Sequence, residues 1–256
     1  MPTVSSADGT PISYSAEGSG PPLIMVHCVG VSRRTDPIAS LPPALAEHFT
    51  VYSYDRRGKG ESGNTQPYAV EREFEDLAAV IEVARGETQA EAAVFGFSSG
   101  ATLALMAARA GLPISRLALL EPPFMSAHDG GALAAEFERI LADDGPAAAN
   151  RWYSRDIVGV PEEILEGFAL TEDNLADAPA IVHELRFLPG NGPDTFAEVR
   201  QPTLLVVSDQ TAPVMYDFAE ALVASMRNVT YRKLPGQWHG IPDSTMTDAL
   251  REFAGL

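Results

Sequence analysis

Two hydrophobic rhythms take turns along the chain. Short runs of apolar, β-branched and aromatic residues, "PLIMVH" at 22–27 and "FTVYSYD" at 49–55, predict strands, and "LPPALAEHF" between them has helical spacing after its prolines. In "EREFEDLAAVIEVARG", Phe74, Leu77, Val80, Ile81 and Ala84 recur at intervals of three and four. That spacing predicts a helix with one buried stripe, ended by Gly86. "EAAVFGF" is the next strand, and the helix after it carries Leu103, Met106, Ala107 and Ala110 on one face before Gly111. "SRLALLE" reads as a strand halted by Pro122-Pro123. "PTLLVVS" and "VTYRKL" repeat the strand signal around a helix with Met215, Phe218, Leu222 and Met226 inward. "STMTDALREFAGL" is a closing helix with Met246, Leu250 and Phe253 on one side and Ser244 as its N-cap. Ahead of these, "PTVSSADGTPISYSAEG" reads as a hairpin turning at Asp8-Gly9, a pair that tolerates positive φ. Strands alternating with helices predict an α/β fold, a mostly parallel central sheet with helices on both faces.

The alternation breaks between Glu121 and Thr203. "GALAAEFERILADDG" is amphipathic, with Leu133, Phe137, Ile140 and Leu141 on one side, and "PEEILEGFAL" and "APAIVHELRF" are shorter helical candidates. Roughly 80 residues without a strand signal are too many for a plain loop. The expectation is a helical cap inserted at 122–200 over a core made of 1–121 and 201–256. Trp152, Tyr153, Phe168 and Phe187 fall in this insertion, where they either glue the cap or line a pocket; Trp152 and Tyr153 are the pocket candidates.

Composition narrows the partners. The 256 residues, 45% apolar, suit one core with an insertion. Thirty-five acidic residues against 18 basic ones give a net charge of −17, which repels phosphate backbones and anionic headgroups. A small-molecule substrate is expected, with no nucleic acid and no membrane as partner. Cys28, the single cysteine, has no internal disulfide mate, the opening "MPTVSSADGT" lacks the basic and apolar regions of a leader, and no apolar run approaches a membrane span. These features predict a soluble, cytoplasmic protein. Histidines and acids lack metal-ligand spacing and no dinucleotide fingerprint occurs, so neither metal nor cofactor is expected.

Candidate chemistry begins at the corner "GFSSG". Gly96-Phe97-Ser98-Ser99-Gly100 fits G-x-S-x-G with a strand before it and a helix after it, the context that motif requires. The turn lifts the Ser98 hydroxyl above the sheet at a helix N-terminus, where N–H groups favour developing negative charge. Ser98 is the candidate nucleophile and Ser99 supplies a backbone N–H. A serine needs a base. His239, in "LPGQWHGIP" just after the last strand, is the histidine whose loop points over the same rim of the sheet.

Together these residues resemble the α/β-hydrolase superfamily over nearly all of the chain. "VHCVG" is similar to its HG-type oxyanion segment, and "YDRRGKGESG" to its D-x-R-G-x-G-x-S turn. More narrowly, "DRRGKGESGNTQPYAVEREFEDL", "SSGA", "LALLEPPF" and "GQWH" resemble a bacterial group of small α/β hydrolases. The resemblance implies an α/β-hydrolase fold, Ser98 and His239 as nucleophile and base, and the N–H groups of Val29 and Ser99 as oxyanion hole. Two positions depart from the pattern. Thr211 stands where the superfamily's acid usually follows "PTLLVVS", leaving Glu121, at the end of the preceding strand and held extended by Pro122, or Asp209 as the third member; Glu121 is preferred. Cys28 replaces the usual glycine of the oxyanion segment, either as a small buried hydrophobe or as a substrate contact. His27 is expected to bond loop backbone, and Asp55 or Arg57 to tie loops together. The expected function is hydrolysis of a small carboxylic ester, lactone or thioester through an acyl-enzyme. The altered acid leaves room for a lyase, cyclase or C–C bond-cleaving enzyme on the same scaffold, or for a silent ligand-binding protein.

Overall fold

In the computed structural model, which describes residues 1–160, 162–167, 170–237 and 239–256, one eight-stranded sheet has the order β1-β2-β4-β3-β5-β6-β7-β8. The strands are β1 (Thr3–Ser5), β2 (Pro11–Gly18), β3 (Pro22–Val26), β4 (Thr50–Tyr54), β5 (Ala93–Phe97), β6 (Arg116–Leu120), β7 (Thr203–Gln210) and β8 (Val229–Gln237). β2 is antiparallel to both β1 and β4, and every pairing from β4 through to β8 is parallel. The opening hairpin turns at Asp8-Gly9, where the Asp8 carboxylate accepts from the Thr10 N–H at 2.9 Å.

Alternate residues of each central strand enter different apolar layers, as the two-residue period of a strand requires. Ile24, Val26, Leu117, Leu119, Leu205 and Val207 face one layer, which α2 (Val70–Thr88), α3 (Ser99–Arg109) and α9 (Pro213–Ser225) cover. Leu23, Met25, Phe95, Phe97, Leu204 and Val206 face the other, covered by α1 (Leu41–Leu45) and α10 (Asp243–Ala254). The sheet is therefore buried on both sides, and its free chemistry is confined to strand ends and loops. Two expected boundaries shift. α2 runs past Gly86 and closes at Gln89 in the left-handed region, because Ala84 is the last residue its stripe buries and the exposed turn beyond it tolerates a glycine. α10 starts at Asp243 after Pro242, so Ser244 lies inside the first turn and does not cap it.

Between β6 and β7 the described residues are helical: α4 (Ala132–Asp144), α5 (Pro146–Trp152), a π-helical turn (Tyr153–Val158), α6 (Glu162–Gly167), α7 (Glu172–Asp177), a 3₁₀ turn (Ala178–Ile181), α8 (Val182–Phe187) and a second 3₁₀ turn (Pro193–Phe196). Phe137, Ile140, Ala149, Tyr153, Ile181 and Leu185 give this segment an apolar cluster of its own, and Val29 packs against it from the sheet side. Its two ends lie side by side, with the Met125 N–H donating to the Asn191 carbonyl at 3.1 Å. Phe168 lies outside the described residues. No helix among the described residues is long and apolar enough to cross a membrane.

Candidate active site

Five neighbouring strands, β3, β5, β6, β7 and β8, end at one rim, and each delivers a residue of interest there. β5 delivers Ser98. Its φ of 52° and ψ of −124° lie outside the regions open to an ordinary side chain, a conformation that costs about 1–3 kcal/mol and persists only where the surroundings fix it. Those surroundings are tight: the Ser98 N–H donates to the Leu120 carbonyl at 2.9 Å and the Ala101 N–H to the Ser98 carbonyl at 2.8 Å. A β-carbon on Gly96 would come within 2.5 Å of the Ala101 Cα, and one on Gly100 would overlap the Val26 and His27 carbonyl oxygens. The close approach of α3 to the backbone after β3 is thus the physical reason for both glycines of "GFSSG".

β6 and β8 deliver the charged pair. The Glu121 carboxylate faces His239 Nδ1 at 2.6 Å and accepts from the His239 N–H at 3.1 Å. Its other oxygen accepts from the N–H and hydroxyl of Ser208, at the end of β7, at 2.8 and 2.6 Å. Burial pushes this carboxyl up, but His239 and then Ser208 outweigh it, and its pKa lies below the ordinary glutamate value. The neighbour before the serine, Phe97, meets the imidazole edge-on, with ring centroids 5.0 Å apart. Asp209 goes elsewhere: its exposed carboxylate accepts from the Gly236 N–H at 3.0 Å. Glu121 has a φ of 47° and His239 of 62°. The extended Glu121 expected from Pro122 is therefore wrong in φ, because a following proline restricts ψ and leaves φ to be set by the carboxylate's four contacts. Ser98, Glu121 and His239, with Gln89, are the non-glycine residues of positive φ among those described.

The loop after β3 holds Cys28 and Val29. Cys28 is buried in the layer under α1 and α10, and burial pushes its thiol up to about 12, so it packs as a neutral group. Val29 is half-buried, and Ser99 opens α3 with its side chain buried. An N–H in a helix's first turn has no partner within the helix. His27 pairs with the Asp36 carboxylate at 2.8 Å through Nδ1, a side-chain partner where loop backbone was expected. The sequence pattern carried no sign of that pairing, since Asp36 sits in an irregular stretch. Tyr153 is buried, with its hydroxyl raised by burial and then by Glu184 and Cys28, whereas Trp152 packs against Phe137 inside the helical segment.

Beneath this loop lies a buried charge cluster that the sequence did not announce. Arg56 donates to Glu73 at 2.7 and 2.8 Å, to Glu184 at 2.6 Å and to the His27 carbonyl at 3.2 Å. Lys59 donates to Glu184 at 3.1 Å and to the Cys28 carbonyl at 3.3 Å. The Ser99 hydroxyl reaches the same Glu184 oxygen at 3.5 Å. Burial and then Arg56 pull the Lys59 ammonium down, against Glu184 and Glu73. Glu184 was readable only as one residue of the helical candidate "APAIVHELRF". Around the cluster, Asp55 binds Arg33, and Arg57 bridges Asp8 and Asp76, the loop-tying roles expected of them.

Chemistry gathered above the carboxyl ends of a parallel sheet covered on both faces marks an α/β-type enzyme, and the turn at Ser98 narrows the class to those that present a serine there. The chain belongs to the alpha/beta hydrolase family, whose model matches residues 23–255. It is similar to an alpha/beta hydrolase from Sphaerobacter thermophilus DSM 20745 whose structure is known, with 36% identity and a TM-score of 0.86 over 99% of this chain and 100% of that one. A thermophilic esterase from Thermogutta terrifontis shares the fold at 21% identity and a TM-score of 0.74, covering 99% and 97% of the two chains. An uncharacterized hydrolase, YraK, of Bacillus subtilis (strain 168) is 35% identical over 100 residues, which span 38% of this chain and 35% of that protein's length. Among the described residues no group of histidine, cysteine, aspartate or glutamate could hold a metal ion.

Proposed function

We propose that the protein is a serine hydrolase that cleaves a small carboxylic ester, lactone or thioester through an acyl-enzyme on Ser98. The observation that carries this reading is the Glu121 carboxylate seated on His239 Nδ1 beside the strained serine turn. In the mechanism, Glu121 fixes the imidazole with its second nitrogen toward the serine and stabilises the imidazolium that forms. His239 takes the Ser98 proton as the hydroxyl oxygen attacks the acyl carbonyl. The Val29 and Ser99 N–H groups receive the oxyanion, and His239 returns the proton to the leaving group. Water, activated by the same imidazole, then attacks the acyl-enzyme and regenerates Ser98. Residues 122–200 act as a cap whose inner wall, with Tyr153 and Cys28, bounds the acyl pocket. Trp152 packs against Phe137 in the apolar cluster of the helical segment.

Incubation with a small fluorophosphonate, read by intact mass, tests this. The expected result is one adduct on the wild type and none on Ser98→Ala. A folded wild type that takes no adduct and hydrolyses no short aryl ester overturns it and favours a non-hydrolytic enzyme or a binding protein.

A further inference from the structure

We propose that Lys59 is a positioning residue for the oxyanion hole, holding the Cys28–Val29 peptide so that its N–H faces the reacting carbonyl. The proposal rests on the serine-hydrolase reading above, in which Val29 supplies that N–H. In a trans peptide the carbonyl and the N–H point to opposite sides of the plane. The Cys28 carbonyl accepts from Lys59 Nζ, on the side of the buried cluster, so the Val29 N–H points away from it. The preceding peptide is held in the same sense, its His27 carbonyl accepting from Arg56. Two consecutive carbonyls of the loop are thus drawn to cations under it, and the N–H that follows each is turned the other way. A cation on the carbonyl also polarises the amide and strengthens its N–H as a donor.

The cluster is built to keep that ammonium in place. Lys59 and Glu184 are both 0% exposed, and the Lys59 ammonium has the Glu184 carboxylate at 3.1 Å. Arg56 gives Glu73 two bonds, beside one from the Tyr68 hydroxyl, and shares Glu184, so two cations face two carboxylates and the set is neutral. A buried ammonium is costly, and where only packing is required an apolar side chain of similar size serves as well. What an apolar side chain cannot do is bind the Cys28 carbonyl. Glu184 comes from α8, Lys59 from the loop after β4 and Ser99 from the start of α3, so the orientation of the donor peptide is tied to the cap as well as to the nucleophile's helix.

The test compares wild type, Lys59→Met and the charge-balanced pair Lys59→Met/Glu184→Gln on p-nitrophenyl acetate, together with inhibition by phenyl trifluoromethyl ketone. That ketone adds to the serine and places an oxyanion in the hole. Removing a whole oxyanion donor costs about 10²–10³ in kcat, so loss of its orientation is expected to lower kcat by about 10- to 100-fold in both variants. KM stays within about threefold, since the hole acts in the transition state, and ketone affinity falls by the same factor as kcat. If Lys59→Met does not fold, the charge-balanced pair decides alone. Wild-type kcat and ketone affinity in that pair overturn the assignment and reduce Lys59 to a counter-charge for Glu184. Equal losses in kcat and ester binding with unchanged ketone affinity overturn it too. A wild type that neither turns over nor takes the fluorophosphonate overturns the hydrolase reading, and this assignment falls with it.

Discussion

The carboxylate that faces His239 is held from behind by Ser208. Ser208 offers its N–H and its hydroxyl to the same Glu121 oxygen, leaving the other oxygen for the imidazole, while Asp209, the next residue, is turned to Gly236. Under the proposed mechanism, Glu121→Gln is expected to lower kcat/KM on a short ester by about 10³–10⁴, and Asp209→Asn to change it by less than about threefold; steady-state kinetics of both variants checks this. The positions of Ser98 and His239 were legible because their signals are local, a five-residue turn and a loop after a strand. The carboxylate that meets His239 was not fully legible. The choice between Glu121 and Asp209 hangs on a contact between β6 and β7, and Ser208 carries no mark in "PTLLVVS" to distinguish it from any strand residue. The positive φ at Glu121 was equally hidden, since a proline announces only what it forbids.

At the scale of elements, the turn between β5 and α3 sets the site because the helix begins almost in contact with the backbone after β3. Gly100→Ala is expected to push α3 away from the Val26 and His27 carbonyls and to abolish fluorophosphonate labelling of Ser98, read by intact mass. Circular dichroism should still report a folded chain, because the strain is local to one helix start. Strands and the long helices followed their hydrophobic rhythm closely, from Leu23 and Met25 against Ile24 and Val26 to the stripe of α2. Helix ends did not, as Gly86 and Ser244 illustrate. α5 escaped altogether, because "PAAANRW" has alanines on every side and shows no stripe. Glu184 and Lys59 escaped for a different reason: a charge is buried only when distant partners meet it, and 125 residues separate these two.

For the molecule as a whole, the same buried region writes a pH dependence into stability. His183, stacked on Tyr68 at 3.8 Å, is held by burial at about 4, against the partial opposition of Glu73 and Glu184. An imidazole held below its ordinary value binds its proton more readily in the unfolded chain. Its contribution is therefore complete above about pH 6.5 and is lost as pH falls toward about 4. Urea unfolding at pH 6.5 and 5.0 should show the wild type losing about 1.6 kcal/mol from this group, and His183→Phe, which keeps a ring over Tyr68, should lose correspondingly less. Glu121 has a further consequence, for where a carboxylate can be rooted. Neighbouring parallel strands stand about 4.8 Å apart, so carboxylates rooted at the ends of β6 and β7 can serve one imidazole. Under the proposed mechanism, the histidine's carboxylate belongs to the seam between two strands and can come from either side of it without rebuilding the histidine loop. With Thr211 on the β7 side, it is Glu121, on the β6 side, that meets His239.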